Sequence, residues 1–289
     1  MDVFMIADPG DGPYGITTGP DGALWCTLVH AGAVARIALD GTATRFDLPG
    51  PGPALITTAG DALWCTLLRT GALGRLDPSG AASLTPVPGT QGTYGIADGR
   101  DGDIWYTSMR PAHIGRLSAD GSVSVVPLPE GSMPSMLTTT ADGSVWCTLN
   151  QAHAIARLTP SGELTVHPLP TRDAAPVGIT TGTDGAVWFV EIAAGQIGRL
   201  TPDGRVTEFP LPDRAARPHA ITADPSGGCW FTEWAGNRIG HITPSGDITT
   251  HDLPVPSAEP HGLTVAPDGT VWTALETGAV ARLQNGPPA

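Results

Sequence analysis

Pro176-Val-Gly-Ile-Thr180, Asp184-Gly185, Val187-Trp-Phe189, Ile197-Gly-Arg-Leu200, Gly204 and Val206-Thr-Glu-Phe-Pro-Leu-Pro212 follow one another as a unit that recurs along the whole chain. Its tryptophan marks each copy: Trp25, Trp64, Trp105, Trp146, Trp188, Trp230 and Trp272, at spacings of 39, 41, 41, 42, 42 and 42 residues. Short apolar runs separated by Asp-Gly or Ser-Gly pairs read as strands joined by hairpin turns, because Asp and Gly tolerate the positive φ such turns need. Each unit therefore predicts a four-stranded antiparallel meander. A period of about 40 residues with four strands is the signature of a propeller blade. Seven copies predict an all-β chain, a seven-bladed β-propeller forming one domain over residues 1–289. The seventh copy stops after its third strand, Val280-Ala-Arg-Leu283. Val3-Phe4-Met5-Ile6 stands at the phase of the missing fourth strand, so the N-terminal strand is expected to close the last blade and remove an exposed edge.

Composition agrees. The 289 residues include 38 Gly and 29 Pro, yet 40% are hydrophobic and eight are Trp, which suits turns punctuating a packed core rather than disorder. The 15 basic residues, all Arg, are outnumbered by 28 acidic ones for a net charge of −13. That balance argues against a nucleic-acid partner, which needs a clustered positive surface. No run approaches the ~18 apolar residues of a membrane span, and the N-terminus lacks the basic flank of a secretory signal. Cys26, Cys65, Cys147 and Cys229 are far apart, without a C-x-x-C pair. They read as small buried hydrophobes in a reducing cytoplasm. A closed ring leaves no edge to pair, so a monomer is expected.

Internal comparison separates packing from chemistry. What all blades share serves the ring, and what one or two carry alone is free for another use. In a meander the starts of the first strands and the ends of the Trp strands meet on one face. At that face the residue after the conserved Pro reads Tyr14, Ala54, Tyr94, Ser135, Val177, His219 and His261. Past the Trp strand, Leu28, Leu67 and Leu149 give way in later blades to Glu191, Glu233-Trp234 and Glu276, and Glu259 lies two residues before His261. Two carboxylates without cysteine suit a hard, oxygen-preferring cation such as Mg²⁺. A histidine, with an ordinary pKa near ~6.5, suits proton abstraction near neutrality. Tyr14, Tyr94 and Trp234 form a candidate aromatic wall for a ligand. The blander reading is a polar, water-holding propeller mouth. His30, His113, His153, His167, His241 and His251 fall at variable phases and are expected on the surface.

Across essentially the whole chain these motifs resemble the streptogramin B lyases, also called virginiamycin B lyases. The resemblance rests on Gly12-Pro-Tyr-Gly-Ile-Thr17, Ala175-Pro-Val-Gly-Ile-Thr180 with Val187-Trp-Phe-Val-Glu-Ile192, Arg217-Pro-His-Ala-Ile-Thr222 with Trp230-Phe-Thr-Glu-Trp234, and Glu259-Pro-His-Gly-Leu-Thr264. The consecutive Arg-Pro-His and Glu-Pro-His elements are the most specific. The resemblance implies a propeller enzyme, a carbon-oxygen lyase of antibiotic resistance, that linearises cyclic depsipeptides by elimination with Mg²⁺, or Mn²⁺ in its place. It places His261 as general base, Glu259 and Glu276 as metal ligands, His219 as a substrate-positioning residue and Tyr14 near the substrate. Cys-Thr-Leu replaces Phe-Thr-Glu in blades 1, 2 and 4, and Met133-Pro-Ser-Met136 lacks the glycine, departures that bear on substrate fit. Two other readings stay open: a propeller lactonase that hydrolyses a ring ester, and a non-catalytic propeller that binds a peptide. A lyase whose natural substrate is not an antibiotic also fits, since an ester and an acidic α-proton are all such a site specifies.

Overall fold

The computed structural model describes residues 1–284 and shows seven four-stranded antiparallel sheets in a ring. Blades 1 to 6 each run consecutively, from Pro13–Asp47 in blade 1 to Pro218–Asp252 in blade 6. Blade 7 takes three strands from the C-terminal part, Pro260–Val265, Val271–Leu275 and Ala279–Leu283, and its outermost strand from Asp2–Met5. Asp2 pairs with Arg282 and Met5 with Ala279, so the two ends of the chain close the ring as the repeat phase predicts. Among the described residues the one helix is a 3-10 turn at Arg100–Gly102, and none is long and apolar enough to cross a membrane.

Burial within a blade follows from stacking. In five of the seven blades the second strand, such as Leu24-Trp-Cys-Thr-Leu28, is buried at every residue because neighbouring blades cover both its faces. Such strands read as continuous apolar runs without alternation. The fourth strand, such as Ala43–Asp47, lies at the rim and is mostly exposed. All four cysteines are free and buried, and burial pushes the thiols of Cys26, Cys65 and Cys147 up to about 12. The recurrent Asp of the first turn also has a structural task. Asp21 accepts from Trp25 Nε1 at 3.0 Å and from Arg36 Nε at 2.6 Å, and Asp184 holds Trp188 and Arg199 in the same way.

One irregularity positions the site. In every blade the pairing of first and second strands slips just after the first residue, between Pro13 and Ile16 in blade 1 and between Pro260 and Leu263 in blade 7. A bulge of this kind re-aims the side chain it contains. The Thr two residues after the Trp mends the break. Thr232 Oγ1 accepts from Ala220 N at 3.0 Å and donates to the His261 carbonyl of the next blade at 2.9 Å. Thr27, Thr66, Thr107 and Thr148 donate likewise to Ala54, Tyr94, Ser135 and Val177. Blades 5 and 7 carry Val190 and Ala274 there. The carbonyls of His219 and Tyr14 consequently face Gly178 and Gly262 without a threonine hydroxyl.

Candidate active site

The residue inside each bulge points to the mouth of the central channel, and in blades 1, 3, 6 and 7 these residues form a connected group. Tyr14 Oη lies 2.8 Å from Tyr94 Oη and 3.3 Å from His219 Nε2. The Tyr14 ring packs 4.4 Å from His261, and the two imidazoles are 5.0 Å apart, edge to face. Burial pushes the Tyr14 and Tyr94 hydroxyls up and depresses His219 to about 3, with His261 adding a smaller push in the same direction. All three are therefore neutral near pH 7, so the group offers hydrogen bonds rather than charge.

The charge stands beside it. His261 Nε2 hydrogen-bonds Glu276 Oε2, and His30 Nε2 lies 3.3 Å from Glu276 Oε1. Burial lowers His261 below its ordinary value although Glu276 pulls it upward, so the ring is a free base at neutral pH. Burial pushes the Glu276 carboxyl up, but its bonds to His261 and His30 outweigh that and hold it below the usual range. Glu259, His261 and Glu276 each offer a ligand atom within 4.8 Å of the others. Glu259 reaches this point from a left-handed backbone, φ 49°. The corresponding residue has positive φ in all seven blades: Gly12, Gly52 and Gly92 in the first three, then Met133, Ala175, Arg217 and Glu259. That conformation is costly for a side chain of any size.

Below the mouth the blades approach one another closely. The residue after each bulge position alternates around the ring as Gly15, Leu55, Gly95, Met136, Gly178, Ala220 and Gly262. Seven is odd, so the alternation fails once, between blades 7 and 1. There Gly262 and Gly15 meet beneath His261 and Tyr14, so closely that a Cβ on Gly262 would come within 3.1 Å of Gly15 Cα.

Not every expected residue joins the mouth. Trp234 stands on the rim with the Arg217 guanidinium 6.0 Å over its ring, and it makes no bond to the histidine cluster. Glu191 and Glu233 are fully buried, contrary to the expectation that they share the face of Glu276. They lie three residues past the Trp, whereas Trp234 and Glu276 lie four past it, and successive strand residues point to opposite sides. Each buried Glu meets a polar cross-strand partner: Glu191 accepts from Gln196 at 2.7 Å, and Glu233 from Arg238 at 2.6 Å. Blades 1, 4 and 7 place Leu opposite Ala at the same register. His113 is the counterpart in blade 3; it is buried, opposite Ser108, and 3.3 Å from Thr90, so its expected surface placement is also corrected. His30 is half exposed as expected, but it is a member of the mouth. Its ring occupies space that a Cβ on Gly12 would enter at 2.6 Å. Thr232, which fixes the His261 backbone, is the other contributor that comparison of the mouth positions passed over.

A profile of the Virginiamycin B lyase family matches residues 1–283. The chain belongs to this family. A solved streptogramin B lyase structure superposes with a TM-score of 0.94 at 40% identity, covering 98% of this chain and 96% of the other. A catalytically inactive histidine-to-alanine variant of the Staphylococcus aureus virginiamycin B lyase, solved with quinupristin, superposes at 0.90 with 39% identity over 97% and 98% of the two chains. The virginiamycin B lyase of Saccharopolyspora erythraea is 63% identical over 43 residues, a stretch spanning 15% of this chain and 14% of that protein.

Proposed function

We propose that this protein opens the ring of type B streptogramins by β-elimination at the ester linkage, with His261 as the base. The observation that carries the reading is the convergence of His261, Glu259 and Glu276 within 4.8 Å at a mouth lined by Tyr14, Tyr94 and His219. It is supported by a family member of the same fold solved with quinupristin and inactivated by loss of one histidine.

In the substrate the ring closes through a threonine side-chain oxygen, and that threonine carries an α-proton made acidic by the adjacent amide carbonyl. His261 Nε2 accepts the α-proton, the C–H electrons form the Cα=Cβ bond, and the Cβ–O bond breaks with its pair leaving on the carboxylate. The product is a linear chain with a dehydrobutyrine, and no water is consumed. Glu259 and Glu276 fit a hard divalent cation, Mg²⁺ or Mn²⁺, in donor chemistry and spacing; when bound, it supplies Lewis-acid stabilisation of the charge developing on carbonyl oxygen. The Glu276 carboxylate that would hold the cation is the one now bonded to Nε2. A neutral ring in that contact donates from Nε2, so service as the base requires the other tautomer of His261, with the proton on Nδ1 and the lone pair on Nε2. Tyr14, Tyr94 and neutral His219 would hold the depsipeptide by hydrogen bonds and ring contact, with Trp234 extending the aromatic wall along the rim.

His261→Ala tests the assignment. Other blades carry Ala, Ser or Val at this position, so the variant is expected to fold. Ring opening should fall at least ~10²–10⁴-fold, the usual contribution of a general base. A variant that kept near-full turnover would overturn the role given to His261.

A further inference from the structure

On the face opposite the mouth, a cavity of about 620 Å³ lies between blades 3 and 4, lined by Trp105, Arg116 and Val126 on one side and Val145, Leu158 and Gly162 on the other. The repeat explains why it exists. In five blades the penultimate residue of the outermost strand is an aromatic ring lying over that blade's Trp: Phe4 on Trp272 and Phe46 on Trp25 at 5.4 Å, His167 on Trp146 at 5.7 Å, Phe209 on Trp188 at 5.8 Å and His251 on Trp230 at 6.0 Å. The phenylalanine rings also fill the gap to the next blade. A Cβ built on Gly41, Gly80 or Gly246, in the neighbour's outer turn, would come within 2.0, 2.5 and 2.4 Å of Phe4, Phe46 and Phe209.

Blade 3 carries Val126 at this position, and the matching turn glycine of blade 4, Gly162, meets nothing within 4 Å. Trp105 is accordingly half-buried where the five covered tryptophans are buried. Blade 2, with Thr85, is open in the same way at Gly121 and Trp64, but a hydroxyl there is a poorer neighbour for a hydrocarbon ring.

We propose that the slot between blades 3 and 4 binds a flat, uncharged aromatic molecule that stacks on Trp105 in the place of the missing side chain. The internal repeat itself gives the shape of the occupant: one ring to replace the absent phenylalanine, with space for a second fused ring. Val126, Val145 and Leu158 give it apolar walls. Three aspartates against two arginines around the opening, Asp98, Asp101 and Asp103 against Arg100 and Arg116, disfavour an anion. The proposal is independent of the chemistry at the mouth.

Indole is a suitable probe. Calorimetric titration of the full chain should show one saturable site, and indole at ten times its Kd should raise the melting temperature by about 3 °C. Val126→Phe supplies the ring from within, so it should abolish binding and raise the melting temperature of the free protein. Val126→Thr preserves shape but puts a hydroxyl in the slot, and should weaken binding about tenfold; it provides the test should the larger residue prevent folding. A crystal soaked in indole should show the ring over Trp105. Absence of saturable binding, affinity unchanged in both variants, or a ring seated elsewhere would overturn the proposal.

Discussion

Gly262→Ala probes the junction at which the alternation around the channel fails. A Cβ there would lie 2.6 Å from the Tyr14 carbonyl oxygen and 3.1 Å from both Gly15 Cα and Ile16 N, all backbone atoms of the next blade. No rotamer can relieve such contacts. Reaching ordinary van der Waals separation requires the Tyr14 backbone to retreat by roughly 0.8 Å. Overpacking of this kind costs about 1–3 kcal/mol, and the lower chain entropy of unfolded alanine returns up to ~1 kcal/mol of it. The net loss of about 1–2 kcal/mol corresponds to a melting temperature lower by about 2–5 °C. The displaced residue is the one whose hydroxyl joins Tyr94 to His219, and a misplacement approaching 1 Å at a reacting centre costs about 10²-fold in rate. Quinupristin turnover should therefore fall ~10- to 100-fold while the ring still folds. Blade 6 carries Ala220 at the same position, so alanine itself is compatible with the local backbone. A Gly262→Ala protein that melts and turns over like the parent would refute the claim that the close approach of blade 1 positions the site.

Two further outcomes are expected. Burial, only partly opposed by the bond from Gln196, raises Glu191 to about 8 from an ordinary 4.5. Between those values the folded chain keeps a proton that the unfolded chain has released, so this group makes stability fall as pH rises, by about 1.4 kcal/mol per unit. Urea unfolding from pH 5.5 to 8 should show Glu191→Gln losing roughly 2–3 kcal/mol less than the parent, and parallel curves would contradict the assignment. Removal of divalent cations with a chelator should stop ring opening and leave the melting temperature unchanged, because strand pairing and inter-blade packing use neither Glu259 nor Glu276; melting that drops on chelation would instead indicate an ion that supports the fold.

The ring was legible because its signals are local and repeated: a Trp every 39–42 residues, Asp-Gly turns at fixed offsets, and a strand missing at one end and present at the other. His219, His261, Tyr14 and Tyr94 were legible too, since one bulge in every blade aims the same phase at the channel. Glu191 and Glu233 were misplaced for a physical reason. A strand with one wet face reveals its parity through alternating polarity, but the second strand of each blade is buried on both sides, so nothing in its composition separates the third residue past the Trp from the fourth. The cross-strand partners Gln196 and Arg238, standing where other blades have Ala, are the signal that would have found them. His113 fills the same position in blade 3. His30 escaped because its approach to Glu276 spans blades 1 and 7 and depends on the missing Cβ of Gly12, a contact between segments 246 residues apart in sequence.

The mass of the product decides between elimination and its nearest competitor. Purified protein incubated with quinupristin and Mg²⁺ is expected to yield a linear product of the same mass as the cyclic substrate, with the ultraviolet absorbance of a new conjugated alkene. A product heavier by one water, without that absorbance, would show ester hydrolysis and contradict the role assigned to His261.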